Sequence, residues 1–188
     1  DFMTAPSPKT KSPRRKRQKK RQSADVVKII VTGLANTGKT SFIRRVSQYT
    51  EWRGEEGNSW FFGRVRVDSS LILHFYEPPI ARQYDFMWLR EVMSRLRATG
   101  FVVMADSTKP QYFGEFLSIL YTIRGYHENP PLVVAANKQD ESKAWHPDDI
   151  RLGLGIRDVS VMPCNAHDHN AVRQVVIDLL YQVLDKQD

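Results

Sequence analysis

The sequence predicts an α/β domain whose mostly parallel, six-stranded sheet carries helices on both faces. Two observations support this expectation. From Val26 onward, short β-rich apolar runs alternate with helical patterns, and this alternation is typical of parallel sheets built from strand–helix–strand units. The first apolar run also leads through a glycine-containing loop directly into a helical pattern, which is typical of phosphate-binding α/β folds.

The elements can be assigned in chain order. Six runs are predicted to be strands: VVKIIVTG, RVRVD, LILHFYE, FVVMAD, LVVAAN and VSVMPCN. The runs KTSFIRRVSQY, DFMWLREVMSRLRA and FGEFLSILYTIRGY are predicted to be helices. The clearest helix lies near the end of the chain, where apolar residues recur every three to four positions from Val172 to Val183. The polar stretch TEWRGEEGNS is predicted to be a loop.

Length and composition restrict the class of protein. The 188 residues suffice for one globular domain and a tail. The only cysteine, Cys164, has no intramolecular disulfide partner, which suits a reducing compartment. The chain has no apolar run long enough to span a membrane and no apolar segment after its N-terminal charges. We therefore expect a cytoplasmic protein, located peripherally at the inner membrane face if the tail binds lipid.

The positive charge is concentrated at the N-terminus. Residues 1–23 contain nine of the 28 Lys and Arg but one of the 21 acidic residues, so they carry +8 and the rest of the chain carries −1. The run from Ser7 to Ser23 has no apolar residue to bury, so we predict a disordered basic tail over 1–23 and a folded domain over 24–188. An anionic membrane surface or an acidic partner would suit this tail. Sequence-specific nucleic-acid binding is not expected, because no aromatic residue interleaves the charges.

The segment GLANTGKTS matches the phosphate-binding loop pattern between a predicted strand and a predicted helix. In this pattern the glycines let backbone N–H groups surround a phosphate at the helix N-terminus. Lys39 would contact the β- and γ-phosphates, and the hydroxyl of Thr40 would bind Mg²⁺. The predicted phosphate-site residues are Gly33, Ala35, Asn36, Thr37, Gly38, Lys39, Thr40 and Ser41.

Two further motifs follow later strands. Asn137, Lys138 and Asp140 end the run LVVAANKQD, and a carboxylate at the last position can accept hydrogen bonds from N1–H and the 2-amino group of guanine, donors that adenine lacks. In the segment PCNAHD, the N–H of Ala166 is predicted to meet the guanine O6, with Cys164 and Asn165 shaping the turn. The sequence therefore predicts a guanine-nucleotide site.

These three motifs, in this order and spacing, resemble those of the Ras-like small GTPases over about residues 26–186. Smaller signatures resemble a bacterial branch that includes the gliding-motility polarity switch and the GTPases encoded beside roadblock-type proteins. They are Phe62-Gly63-Arg64, Phe86-Met87-Trp88 and Cys164-Asn165-Ala166. The resemblance implies GTP or GDP with Mg²⁺ as ligands. It also implies a regulatory partner at the two switch regions, either a roadblock-type protein or a GTPase-activating protein.

The second switch departs from the family pattern. Alignment on Phe86-Met87-Trp88 places Ile80 where the family has a glycine and Ala81 where it has the glutamine that orients the attacking water. Arg82 and Gln83 lie nearby as substitutes. Glu77 occupies the place of the aspartate that reaches Mg²⁺, and it is either that ligand or an ordinary charge at a strand end.

The first switch is also unusual. The expected region, residues 55–59, has no threonine; Ser59 offers a hydroxyl, and Thr50 lies far upstream. Three hypotheses follow: a GTPase of weak or partner-dependent activity, a pseudo-GTPase that keeps its nucleotide as a structural ligand, and an ATP-dependent enzyme. The last is disfavoured by Asn137, Lys138 and Asp140.

Overall fold

The computed structural model describes residues 24–56, 58–79, 86–126 and 128–186, with the side chain of Phe86 excepted. Its seven strands are β1 Asp25–Gly33, β2 Tyr49–Arg53, β3 Trp60–Arg66, β4 Leu71–Glu77, β5 Gly100–Asp106, β6 Leu132–Asn137 and β7 Ser160–Pro163. Its five α-helices are α1 Lys39–Val46, α2 Phe86–Leu96, α3 Phe113–Tyr126, α4 Pro147–Gly153 and α5 His169–Asp185. The predicted tail, Gly57 and the positions from Ile80 to Tyr84 lie outside the described residues.

The strands form one sheet in the order β2-β3-β4-β1-β5-β6-β7. The pairs β2–β3 and β3–β4 are antiparallel, whereas β1 pairs in parallel with both β4 and β5, and β5–β6 and β6–β7 are also parallel. The predicted α/β class and mostly parallel sheet are confirmed. β1 leads to α1 on one face of the sheet, and β5 leads to α3 on the other face. The loops after these two neighbouring strands therefore flank a crevice at their carboxyl ends.

The strand count differs from the prediction of six. The additional strand, β2, lies at the start of the stretch that we predicted to be a loop and pairs antiparallel with β3, Thr50 opposite Gly63. As an edge strand with Tyr49 and Trp52 about half exposed, at 47% and 55%, it lacks the buried apolar run that identifies a central strand. Its polar composition therefore led to the incorrect prediction of a loop.

Two apolar cores cover the two faces of the sheet. One core packs α2, α3 and α4 against β1, β5 and β6, and it includes Ile30, Phe101 and Val134. The other packs α1 and α5 on the opposite face, where Phe42 and Leu179 are completely buried. Helices on both faces explain why β5 and β6 are buried at every position. None of the helices in the described ranges is long and apolar enough to cross a membrane.

Gly63 shows why one signature residue is glycine. A Cβ added there would lie 2.2 Å from Ser47 Oγ and 2.4 Å from Ile43 Cγ2, so α1 and the residue after it pack directly onto the backbone of β3. Contacts this short require the Ser47 and Ile43 side chains, or the helix that carries them, to shift, and enlarging a filled core usually costs about 1–3 kcal/mol.

We therefore predict that Gly63→Ala lowers the thermal midpoint and destabilises the fold by about 1–3 kcal/mol in urea unfolding. Gly114→Ala is the matched control, because an added Cβ there meets nothing within 4 Å and alanine favours the helix. A Gly63→Ala variant as stable as the control would show that α1 does not pack this closely.

Candidate functional site

The phosphate loop connects β1 to α1 and depends on two glycines. Gly33 and Gly38 have φ of 140° and 97°, values that residues with a side chain rarely adopt. A Cβ on Gly33 would lie 2.4 Å from the Met104 carbonyl oxygen, and one on Gly38 would lie 2.3 Å from Asn137 Nδ2. Both positions therefore require glycine for conformation and for space.

The carbonyl of Leu34 holds two side chains inside the loop. Thr37 Oγ1 donates to it at 2.9 Å and Lys39 Nζ at 2.7 Å. Lys39 is 6% exposed, and burial lowers the pKa of its ammonium group although the charge of Glu77 opposes that shift. The ammonium has three donors, and Leu34 accepts one of them; the geometry therefore leaves donors for an anion in the cleft.

The N-terminus of α1 has no side-chain cap. Gly38 occupies the cap position, and no side chain accepts the first N–H groups of the helix. These unpaired donors carry the positive end of the helix dipole. Together with Lys39 they form an arrangement suited to a phosphate group.

Thr40 and Glu77 meet where a metal ion would be expected. Thr40 Oγ1 donates to Glu77 Oε2 at 2.7 Å, and Glu77 is 2% exposed at the end of β4. Burial raises the pKa of the Glu77 carboxyl, while the Thr40 hydrogen bond and the charges of Lys39 and Arg44 partly oppose the shift. A buried carboxylate beside a hydroxyl fits Mg²⁺, which prefers oxygen ligands.

These two groups would leave coordination positions for other ligands. Within the described ranges no group of three or more His, Cys, Asp and Glu could hold a metal ion. Mg²⁺ typically binds one or two protein oxygens and completes its shell with water and substrate phosphates. The position beside the phosphate loop fits that pattern. Thr50 and Ser59, the hydroxyl residues considered for the first switch, do not line the cleft.

Asn137 joins the phosphate loop to the two later motifs. Its side chain is 3% exposed; Nδ2 donates to the Thr37 carbonyl at 2.8 Å, and Oδ1 accepts from the Ala166 N–H at 2.8 Å. We expected this N–H to meet a guanine O6. In the structure Asn137 occupies it, so an O6 atom would have to share or displace that hydrogen bond.

Lys138 and Asp140 lie on the open side of the same loop. Lys138 has φ of 69° and its Nζ donates to Asp106 Oδ2 at 2.7 Å. Asp140 is exposed at the cleft, and its carboxylate accepts no hydrogen bond from the rest of the described chain. A carboxylate so placed is available to a ligand.

Sequence reasoning missed Asp106, the partner of Lys138. Burial alone would raise the pKa of this carboxyl, but hydrogen bonds from Lys138 and Thr108 hold it below its usual value. The next residue, Ser107, accepts from Gln139 Nε2 at 2.9 Å. The loop after β5 thus fixes the Asn137–Asp140 segment through two successive side chains. Only the position of Asp106 at a strand end gave any signal in the sequence.

The third motif, at residues 163–168, holds the loops of the site in place through backbone hydrogen bonds. The Cys164 N–H donates to the Ala136 carbonyl at 2.9 Å, and its carbonyl accepts from the Gln139 N–H at 3.2 Å. Burial, together with the charge of Asp168, raises the pKa of the Cys164 thiol to about 12. The thiol is therefore protonated at neutral pH, and this buried residue supports the loops through its backbone hydrogen bonds.

The motifs converge on one cleft of about 470 Å³. The predicted site residues that line it are Asn36, Gly38, Lys39, Thr40, Ser41, Glu77, Asn137, Lys138, Asp140, Asn165 and Ala166. Gly33, Thr37 and Cys164 shape the loops without lining the cleft, and Ala35 borders a separate cavity of about 210 Å³ beside α3. Glu141 and His167 also line the cleft and were not predicted.

Comparison with known proteins supports the fold. No family model and no curated protein matches the sequence. The Arl6 (BBS3) small GTPase from Trypanosoma brucei, solved with the nucleotide analogue GppNp, aligns with a TM-score of 0.66 and 15% identity over 86% of this chain and 99% of that chain. The G domain of the T. maritima FeoB iron transporter aligns with a TM-score of 0.64 and 16% identity over 84% and 98%. The chain has the α/β fold of Ras-like P-loop GTPase domains.

Proposed function

We propose that this protein binds a guanine nucleotide, GTP or GDP, in the cleft between α1 and the loops after β6 and β7. One observation carries the proposal: the buried Asn137 amide holds the phosphate loop and the turn at Ala166 together, so phosphate-binding and base-binding groups face one space. Asp140 is exposed at the base end, and its carboxylate suits the two adjacent donors of guanine. Adenine has no donor at either place, so an ATP-dependent enzyme is disfavoured.

Mg²⁺ is the second proposed ligand. Thr40 and Glu77 are the groups that would hold it, beside the phosphate loop. The ion would neutralise phosphate charge and supply a positive partner for the Glu77 carboxylate, whose burial is otherwise unfavourable. The hydrogen bond between Thr40 and Glu77 keeps both oxygens at the same place before the ion binds.

Hydrolysis is proposed to be weak or dependent on a partner. This part rests on the sequence, because Ala81 offers no polar side-chain atom to orient a water molecule and Ile80 replaces a glycine. A pseudo-GTPase that retains its nucleotide as a structural ligand is the alternative. A single-turnover assay distinguishes the two: cleavage of bound GTP within minutes, alone or with a partner, contradicts the pseudo-GTPase.

A regulatory, signalling role is proposed on the same basis. Its partner would bind at the switch regions, as roadblock-type or GTPase-activating proteins do for the branch that this sequence resembles. The basic tail would add attraction to an anionic membrane or to an acidic partner by charge alone. We also propose that the protein belongs to that bacterial branch and is cytoplasmic, located peripherally at the inner membrane face if the tail binds lipid.

The direct test of the proposed function is a titration with fluorescent GDP and competition by unlabelled GDP and ADP. GDP should compete at equimolar concentration, whereas ADP should not. Asp140→Ala should weaken GDP binding at least about hundredfold, because two charge-assisted hydrogen bonds are lost. Asp149→Ala, an exposed aspartate on α4, is the control and should bind like the wild type. Equal affinity of both variants would contradict the assignment of Asp140.

A second prediction concerns Glu77. Since burial raises its pKa, ionising this group costs the empty protein folding free energy, and the cost disappears as the pH falls through the folded-state pKa. Glu77→Gln should therefore match or exceed the wild-type thermal midpoint in EDTA. In Mg²⁺ and GDP it should gain less stability than the wild type.

The control for this experiment is Glu128→Gln, which alters an exposed carboxylate away from the cleft. It should show the full stabilisation by Mg²⁺ and GDP. A Glu77→Gln variant with the full effect of Mg²⁺ would show that Glu77 is an ordinary buried acid at a strand end.

A third prediction concerns Asp106, which we propose positions Lys138. Asp106→Asn should speed GDP dissociation about tenfold, because the Lys138 side chain loses a charged, nearly buried hydrogen-bond partner. In a Lys138→Met background the same substitution should add little, as expected for residues that act through each other. Asp158→Asn, which breaks an exposed ion pair with Arg124, serves as the control. Full additivity in the double mutant would assign Asp106 a purely structural role.

A further inference from the structure

A row of polar side chains crosses four strands on the sheet face that also carries α2. Arg64 of β3 lies opposite Tyr49 of β2 and His74 of β4, and His74 lies opposite Lys28 of β1. Residues directly opposite share a face, and neighbouring strands are about 4.8 Å apart. We call these four residues the basic row.

The basic row lies away from the nucleotide cleft. His74 precedes Glu77 by three residues and Lys28 precedes Gly33 by five. At about 3.3 Å per residue, the row is displaced by roughly 10 Å or more toward the amino ends of β4 and β1. No residue of the row lines the cleft, so the row is a feature separate from the proposed nucleotide site.

The positive charges in the row are only partly compensated within the sheet, by Glu51 near Arg64. Arg64 and Lys28 lie on either side of His74, and no carboxylate lies opposite any of these three residues. Along these four strands the carboxylate on this face is Glu51, which already accepts hydrogen bonds from Tyr49 Oη at 2.6 Å and Arg53 Nε at 2.5 Å. A concentration of one charge sign that the fold does not require is typical of a functional surface.

The positive charges around His74 also affect its pKa. Its pKa is lowered by partial burial and by the charges of Arg53, Arg64 and Lys28. Arg66 adds a further exposed cation on the same face of β3. The face therefore presents Lys28, Arg64 and Arg66 beside the Arg53–Glu51 ion pair, with the Asp68 carboxylate near Arg66.

Two of the guanidinium groups are held by aromatic rings. Arg53 lies over the Phe62 ring, with 3.5 Å between Cζ and the centroid, and Arg64 lies over the Tyr49 ring at 5.7 Å. Stacking of this kind orients a guanidinium group. Arg53 Nε already donates to Glu51, so Arg64 is the stacked guanidinium whose N–H groups are available to a planar carboxylate. Mobile lysines would suffice for charge attraction alone, so the arrangement favours a directional partner.

The aromatic residues make nucleic acid and lipid less suitable partners. Phe62 is 2% exposed because Arg53, His74 and Tyr76 surround its ring. It therefore offers no face on which a base could stack. Tyr49 is 47% exposed with Arg64 over one face of its ring, so the row offers one aromatic ring and not a series of platforms for successive bases. The row itself has no aliphatic side chain to insert into a bilayer.

We propose that the basic row, with Arg53 and Arg66, binds a segment of a partner protein rich in Asp and Glu. Carboxylates of an extended segment crossing the strands would pair with Arg64 and Lys28 and relieve their repulsion around His74. No residue of the row lines the nucleotide cleft, so this binding site does not depend on the proposed nucleotide binding and can be tested separately from it.

The test uses the full chain and a fluorescein-labelled oligo-glutamate peptide at low salt, followed by anisotropy. Lys28→Gln/Arg64→Gln removes two cations from the row. Arg173→Gln/Lys186→Gln removes the same charge from exposed positions in and just after α5, so any attraction by the tail or by net charge is matched. The row variant should bind about five- to tenfold more weakly than the control variant.

Equal affinity of the two variants would overturn the proposal. Two further probes identify the partner class: a labelled single-stranded oligonucleotide and phosphatidylserine vesicles. Row-dependent binding of either probe without row-dependent binding of the peptide would also overturn it. Thermal midpoints equal to or above the wild type, and unchanged GDP affinity, would show that lost peptide binding in the row variant comes from the surface itself.

Discussion

The buried amide of Asn137 is the interaction on which the site depends. Its two hydrogen bonds join Thr37 in the loop after β1 to Ala166 in the loop after β7, two segments far apart in the chain that lie at the same edge of the sheet. Because Asn137 lies against Gly38, no side chain fits there. A single buried amide thus fixes the separation of the groups that we propose bind phosphate and base, and it explains one of the glycines of the motif.

The site is maintained at the expense of stability. Lys39 and Glu77 are both buried. Burial lowers the pKa of Lys39 and raises the pKa of Glu77, so it favours the uncharged form of each. Lys39 is also the first residue of α1, whose N-terminus has no side-chain cap. Each of these features is unfavourable in the empty protein, and each would be relieved by the proposed ligand, which brings anionic oxygens and a divalent cation. Such local conflicts between stability and geometry are expected at functional sites.

Much of the molecule could be predicted from the sequence because its strongest signals are local. Fully buried strands such as β5 and β6 appear as continuous apolar runs, and the phosphate loop carries its own glycines. By contrast, β2 forms through pairing with β3 rather than through its composition, and α4 depends on a proline and a cap at His146. The contact between Asp106 and Lys138 joins residues 32 positions apart, so no spacing rule could indicate it.

The cleft is proposed to select a guanine nucleotide over an adenine nucleotide. The most direct measurement incubates the purified protein with equimolar GDP and ADP in Mg²⁺, removes free nucleotide by gel filtration, denatures the protein and quantifies what it releases by chromatography. About one GDP per chain and almost no ADP is the predicted result, since Asp140 distinguishes the two bases. Release of ADP in comparable amount, or of no nucleotide, would contradict the account.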